Sequence, residues 1–272
     1  AKVGDKRLLL DVYVPKNPKN QQPDQLPVIV WIHGGAWRAG NKRHCPALPF
    51  TEDGFVVASI SYRLSQEAIF PAQIEDCKAA IRWLRANAKK YRIDSDRIGV
   101  WGSSAGGHLV ALLGTSGDVP SLEGSSGNLN QSSRVQAVCD FFGPTDFLRM
   151  DADSLPGGPI VHDSADSPES QLIGAPIQEN PDKVATANPI TYVSADDPPF
   201  LIVHGDQDPL VPWQQSKYLF DALRKAGVKH TDLHVIKGAK HGFGGNHEVN
   251  ELVAAFFQKQ LREERQSTSS RH

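Results

Sequence analysis

Cysteine is scarce in this chain of 272 residues. Cys45, Cys77 and Cys139 are an odd set whose spacing fits neither a zinc site nor a disulfide framework. Cys139 lies in the apolar run 135–142 and Cys77 on the apolar face of a helix, so both read as packing residues. Cys45 is left free to be exposed. Long apolar runs are also missing, since none approaches the ~20 residues that span a bilayer. No excess of one charge is present either. A net charge of −2 gives no electrostatic reason to expect nucleic acid or an anionic membrane as partner. The motifs G-x-x-x-x-G-K-[ST], G-x-G-x-x-G opening a helix, and H-E-x-x-H do not occur. His241 and His247 lack the cysteine or paired carboxylate that would complete a metal site.

What is there is an ordinary globular composition, 39% hydrophobic and 22% charged, sufficient for a sizeable core. The length suits one large α/β domain or two small ones. The chain begins at Ala1 and not at methionine, as a trimmed or mature form would, and a removed secretion signal leaves no trace. Compartment and oligomeric state are therefore open.

Apolar runs at 27–32, 55–62, 97–101, 135–142 and 198–204 read as strands covered on both faces. Leu8 to Val14 reads as an antiparallel strand ended by Pro15, followed by a polar surface loop from Lys16 to Leu26. Ile74, Cys77, Ile81 and Leu84 recur at helical steps, predicting a helix from Pro71 to about Tyr91, before a turn at 94–96. Further helices are expected at about 107–114, 214–226 and 247–264, an alternating edge strand at 231–236, and fraying from Gln266. Strands alternating with helices predict a mostly parallel central sheet with helices on both faces. Residues 144–197 are rich in Pro, Asp and Ser and too long for an ordinary connection. That segment is either disordered or a lid folded over the strand ends.

Gly102-Ser103-Ser104-Ala105-Gly106 stands between a strand and a helix, the sequence form of a nucleophile elbow. Ser104 is its candidate nucleophile. A serine hydroxyl needs a base, usually a histidine oriented by a carboxylate, and the elbow order is serine, acid, histidine. Asp208 and His241 meet that order, each following a predicted strand. Asp206 competes as the acid, although its position suits a turn aspartate holding backbone N–H groups, and Asp146 is a weaker rival. His230, His234 and His247 are read as surface residues. His33-Gly34-Gly35-Ala36-Trp37 supplies flexible backbone whose N–H groups can face a developing oxyanion. The expected donors are Gly35, Ala36 and Ala105. His33 is read as orienting that loop in preference to acting as a base.

These four motifs, in this order, resemble α/β-hydrolase serine esterases. The bacterial acetyl-xylan and feruloyl esterase group is most similar, with hormone-sensitive-lipase-like esterases as relatives. Ala36-Trp37 departs from the lipase-like pattern, where a third glycine is usual. The resemblance implies one α/β-hydrolase domain over 1–272 with a lid or insertion at about 144–197. It also implies hydrolysis of short-chain or polysaccharide-linked esters through an acyl-serine, without metal or organic cofactor. Trp37, Phe147, Leu148, Leu172 and Ile173 then either line the substrate pocket or simply pack. A kynurenine-formamidase-like amide hydrolase shares much of this arrangement, and a non-catalytic binding protein of the same fold is the remaining alternative.

Overall fold

The structure is a computed structural model that describes residues 2–3, 6–16, 25–117 and 119–263. Most of the polar loop predicted after Lys16, and the tail from Gln266, lie outside the described residues. Strands β1 (Lys2–Val3) and β2 (Lys6–Arg7) pair antiparallel with each other alone. Among the described residues, seven strands form the central sheet. They are β3 (Leu10–Tyr13), β4 (Leu26–Ile32), β5 (Val56–Ile60), β6 (Ile93–Ser103), β7 (Ala137–Phe141), β8 (Phe200–Gly205) and β9 (Thr231–Ile236). Their order is β3-β5-β4-β6-β7-β8-β9, with β3 antiparallel to β5 and every other pairing parallel.

The apolar runs dictate this layering. Every residue of β4, β5, β7 and β8 is buried, as strands covered on both faces must be. Alternate residues of β4 point to opposite sides. Val28, Val30 and Ile32 enter one core, with helices α1 (Ala72–Ala86) and, beyond the short α2 (Ala88–Tyr91), α3 (Ala105–Thr115). Ile29 and Trp31 enter the other. The segment 144–197 carries the short helices α4 (Met150–Asp153), α5 (Pro168–Ile173) and α6 (Pro181–Ala187). After it come α7 (Gln214–Ala226) and α8 (His247–Gln258), which pack against opposite faces of the sheet.

Three details differ from the sequence reading. The helix from Pro71 breaks at Asn87, and Arg92 closes α2 in a left-handed conformation at φ 58°. The turn at 94–96 lies inside β6 as an irregularity: Leu26 pairs with Ile93 but Val28 with Ile98, and Asp94 accepts from the Asp96 N–H at 3.0 Å. Cys45 is buried, as are Cys77 and Cys139.

The segment 144–197 is folded, and Leu172, Ile173, Ile177, Val184 and Ala187 enter the first core. Among the described residues, no helix is long and apolar enough to cross a membrane. The parallel strands set the geography that matters for chemistry. β4, β6, β7, β8 and β9 all end on the same side, and each candidate residue follows one of those ends.

Candidate active site

The elbow is shaped by two close approaches. A Cβ on Gly102 would strike the Gly106 carbonyl, and one on Gly106 would strike the Ile32 carbonyl, so both positions must be bare. Between them Ser104 is held at φ 56°, ψ −123°, a conformation costly for any residue with a side chain. Its N–H donates to the Phe141 carbonyl at 2.8 Å, and its own carbonyl accepts from the His108 N–H at 3.0 Å. Strand, turn and helix are thus fastened around the serine.

Ser104 and His241 line one cavity of about 400 Å³. A groove of about 670 Å³ along β3 and α1 is larger, but none of Ser104, Asp208 and His241 borders it. His241 Nδ1 donates to Asp208 Oδ2 at 2.6 Å. Asp208 Oδ1 accepts from the N–H groups of Leu210 and Val211 at 2.8 and 3.0 Å. Burial alone would raise the Asp208 pKa. Hydrogen bonds from His204 and His241 outweigh it, helped by the His241 charge, and hold the carboxyl well below the usual range. An ionised, acceptor-only carboxylate fixes the His241 tautomer, leaving Nε2 with its lone pair.

His204 is a supporting residue the sequence reading passed over. It is fully buried, with Nε2 at 2.8 Å from the Val211 carbonyl and 3.4 Å from Asp208 Oδ2. A carbonyl only accepts, so Nε2 carries the proton and Nδ1 accepts from Ser216 Oγ at 2.7 Å. Asp206 is occupied elsewhere, since its Oδ1 accepts from the Gly238 N–H at 2.6 Å. The backbone N–H of Asp146 donates to Gln215 Oε1, and Asp146 lies outside the cavity lining.

Gly35, Ala36 and Ala105 also border the cavity. Gly35, Ala36 and Trp37 all have positive φ, at 109°, 53° and 56°. None of the N–H groups of Gly35, Ala36 and Ala105 has a hydrogen-bond partner among the described residues. His33 sits behind this loop, stacked on Tyr62 at 4.3 Å, with Nδ1–H donating to the Gly34 carbonyl at 2.8 Å. Burial lowers its pKa, against the hydrogen bond to Gly34. Trp37 touches the cavity yet is only 1% exposed.

Phe147, Leu172 and Ile173 pack in the core, with Leu148 half-buried against it, and none of the four borders the cavity. The wall is built instead by Phe142, Ile160, His162, Pro168 and Glu169, together with Leu210 and Val211. Phe142 tilts over the His241 ring at 4.5 Å. Only the strand end before Phe142 was a signal in the sequence, because 160–169 has no period and no motif.

The BD-FAE family profile matches residues 10–223. The chain belongs to the BD-FAE family. Its mostly parallel sheet is the α/β-hydrolase sheet of the esterases it resembles. Among its relatives, Esterase LipQ of Mycobacterium tuberculosis is 33% identical over 244 residues, 88% of this chain and 55% of LipQ. This BD-FAE chain spans about half the length of the curated relatives it matches. Among solved structures, a truncated carbohydrate esterase from gut microbiota superposes with a TM-score of 0.82. It is 39% identical, over 93% of this chain and 90% of that one. The bifunctional GH43-CE protein of Bacteroides eggerthii has a TM-score of 0.82 and 38% identity, over 93% of this chain and 33% of its own.

Proposed function

We propose that this BD-FAE chain is a serine carboxylesterase that hydrolyses short acyl or feruloyl esters of carbohydrates through an acyl-serine intermediate. The observation that carries the reading is the 2.6 Å bond from His241 to Asp208, with His241 lining the same cavity as Ser104. In this reading Ser104 Oγ attacks the ester carbonyl while His241 Nε2 takes its proton. The N–H groups of Gly35, Ala36 and Ala105 receive the charge that develops on the carbonyl oxygen. With no other partner among the described residues, they need break no bond to do so. The α3 N-terminus adds its dipole at Ala105. The imidazolium returns the proton to the departing alkoxide, and a water activated by His241 then releases the acid and frees Ser104. Asp208 stays ionised throughout and stabilises the imidazolium.

The segment 144–197 acts as the lid of this site, with Ile160, His162, Pro168 and Glu169 lining the cavity. Carbohydrate as the alcohol is supported by the carbohydrate-esterase relatives. Hydrolysis of p-nitrophenyl acetate, acetylated xylan and methyl ferulate by the wild type and Ser104→Ala tests the reading. Loss of turnover by up to about 10⁶-fold is expected in the variant, and near-normal hydrolysis would remove Ser104 from its role.

A further inference from the structure

On the esterase reading above, the cavity wall holds two polar side chains that the reaction does not use. His162 and Glu169 both border the cavity and are each only 2% exposed. His162 Nδ1 lies 3.1 Å from Glu169 Oε1, within ion-pair distance but outside hydrogen-bond geometry. Among the described residues, Glu169 Oε2 is buried without a hydrogen-bond partner, and His162 Nδ1 has none beyond this approach to Oε1. A buried charged group is ordinarily satisfied, so an ion pair beside a substrate cavity with an unpartnered carboxylate oxygen points to a specific further partner.

Their surroundings hold them in place. Asp151 accepts from the His162 and Asp163 N–H groups at 2.7 and 2.8 Å, which pins the loop. Ser167 caps α5 by accepting from the Ser170 N–H at 3.0 Å, which fixes the turn that carries Glu169. Burial alone lowers the His162 pKa. Glu169, the Asp151 charge and the Leu210 carbonyl outweigh it and hold His162 above the ordinary histidine value. His162 is therefore favoured as a donor, facing an acceptor.

We infer that His162 and Glu169 form a subsite for a substrate hydroxyl next to the scissile ester, which donates to Glu169 Oε2 and accepts from His162 Nδ1. An ammonium can only donate, and it gains little from a pair whose charges already cancel. A carboxylate can only accept, and Glu169 repels it. A hydroxyl does both at once. A sugar ring offers such a hydroxyl beside an acylated carbon, and a hydroxyacyl group offers one on the other side of the ester.

The test compares kcat/KM for three esters in the wild type and in Glu169→Gln: methyl 2-O-acetyl-β-xyloside, cyclohexyl acetate and cyclohexyl glycolate. With the Gln carbonyl toward His162, its amide group would stand where Oε2 was, replacing the acceptor with a second donor. The wild type is expected to prefer one hydroxylated ester over cyclohexyl acetate by about tenfold or more, and Glu169→Gln to reduce that ratio by a similar factor. Preference for the xyloside places the hydroxyl on the alcohol, and preference for the glycolate places it on the acyl group. An unchanged ratio, or equal losses on all three esters, overturns the subsite. Should Glu169→Gln not fold, competition in the wild type decides. Methyl β-xyloside or glycolamide must inhibit p-nitrophenyl acetate hydrolysis competitively where cyclohexyl methyl ether and acetamide do not, and no such difference refutes the inference. Ser104→Ala separates the two readings, since its inactivity with an unchanged Glu169 ratio removes the subsite alone, whereas retained turnover removes the nucleophile.

Discussion

Trp37 donates its indole N–H to His108 Nδ1 at 3.2 Å, tying the loop after β4 to the helix after Ser104. The other ring nitrogen of His108 donates to the Ala187 carbonyl at 2.7 Å, so the same imidazole also reaches α6. One buried ring joins three separate stretches of chain.

That ring must stay neutral. Burial lowers the His108 pKa to about 4, against the hydrogen bond to Ala187. Between about pH 4 and 6.5 the unfolded chain therefore binds more protons there, and stability falls as pH is lowered through that window. His108→Phe should remove this component of the slope in urea titrations. It should also cost about 1–3 kcal/mol, because the Trp37 N–H loses its partner. A slope identical to that of the wild type would refute the assignment.

Asp140 has the opposite dependence. Burial raises its pKa to about 7, opposed only by a hydrogen bond from the Gly143 N–H. The folded chain holds the extra proton between about pH 4 and 7, so the contribution of Asp140 to stability declines as pH rises across that range. In Asp140→Asn this decline should vanish, which denaturation midpoints at about pH 5 and about pH 8 would reveal.

Asp208→Asn should lower kcat by about 10⁴-fold, because an amide can donate to His241 Nδ1 and so favours the wrong tautomer. Asp206→Asn should change kcat far less, since an amide oxygen still accepts from the Gly238 N–H. Steady-state kinetics of both on one aryl ester give the ranking, and the reverse order would move the acid to Asp206.

Gly106→Ala would drive a methyl group into the Ile32 carbonyl, a backbone atom that cannot turn aside. A loss of about 1–3 kcal/mol or more is expected, measured by thermal melting, with esterase activity falling alongside. Gly157→Ala is the control for the method. A Cβ there meets nothing, so any loss comes only from its φ of 76°.

The sheet was legible in the sequence because continuous apolar runs can be satisfied only when buried on both sides, and β4, β5, β7 and β8 fall where those runs are. The candidates Ser104 and Asp208 were legible for a related reason, as each follows such a run within a few residues, whereas the candidate His241 follows the alternating edge strand β9. The wall at 160–169 was not. His162 and Glu169 are brought to the cavity by contacts with Asp151 and by the Ser167 cap, and no local period announces contacts of that kind. Cys45 was left open because its burial comes from packing in the second core, which local composition does not record.

The backbone that presents Ser104, the loop from His33 to Trp37 and the turn around Asp208 are anchored to neighbouring strands, whereas residues 160–169 come from one uninterrupted connection between β7 and β8. On the function proposed above, bond cleavage and much of the choice of ester would reside in separable parts of the chain. Grafting that single connection from another BD-FAE protein would be expected to transfer preference as one block, leaving the scissile machinery in place.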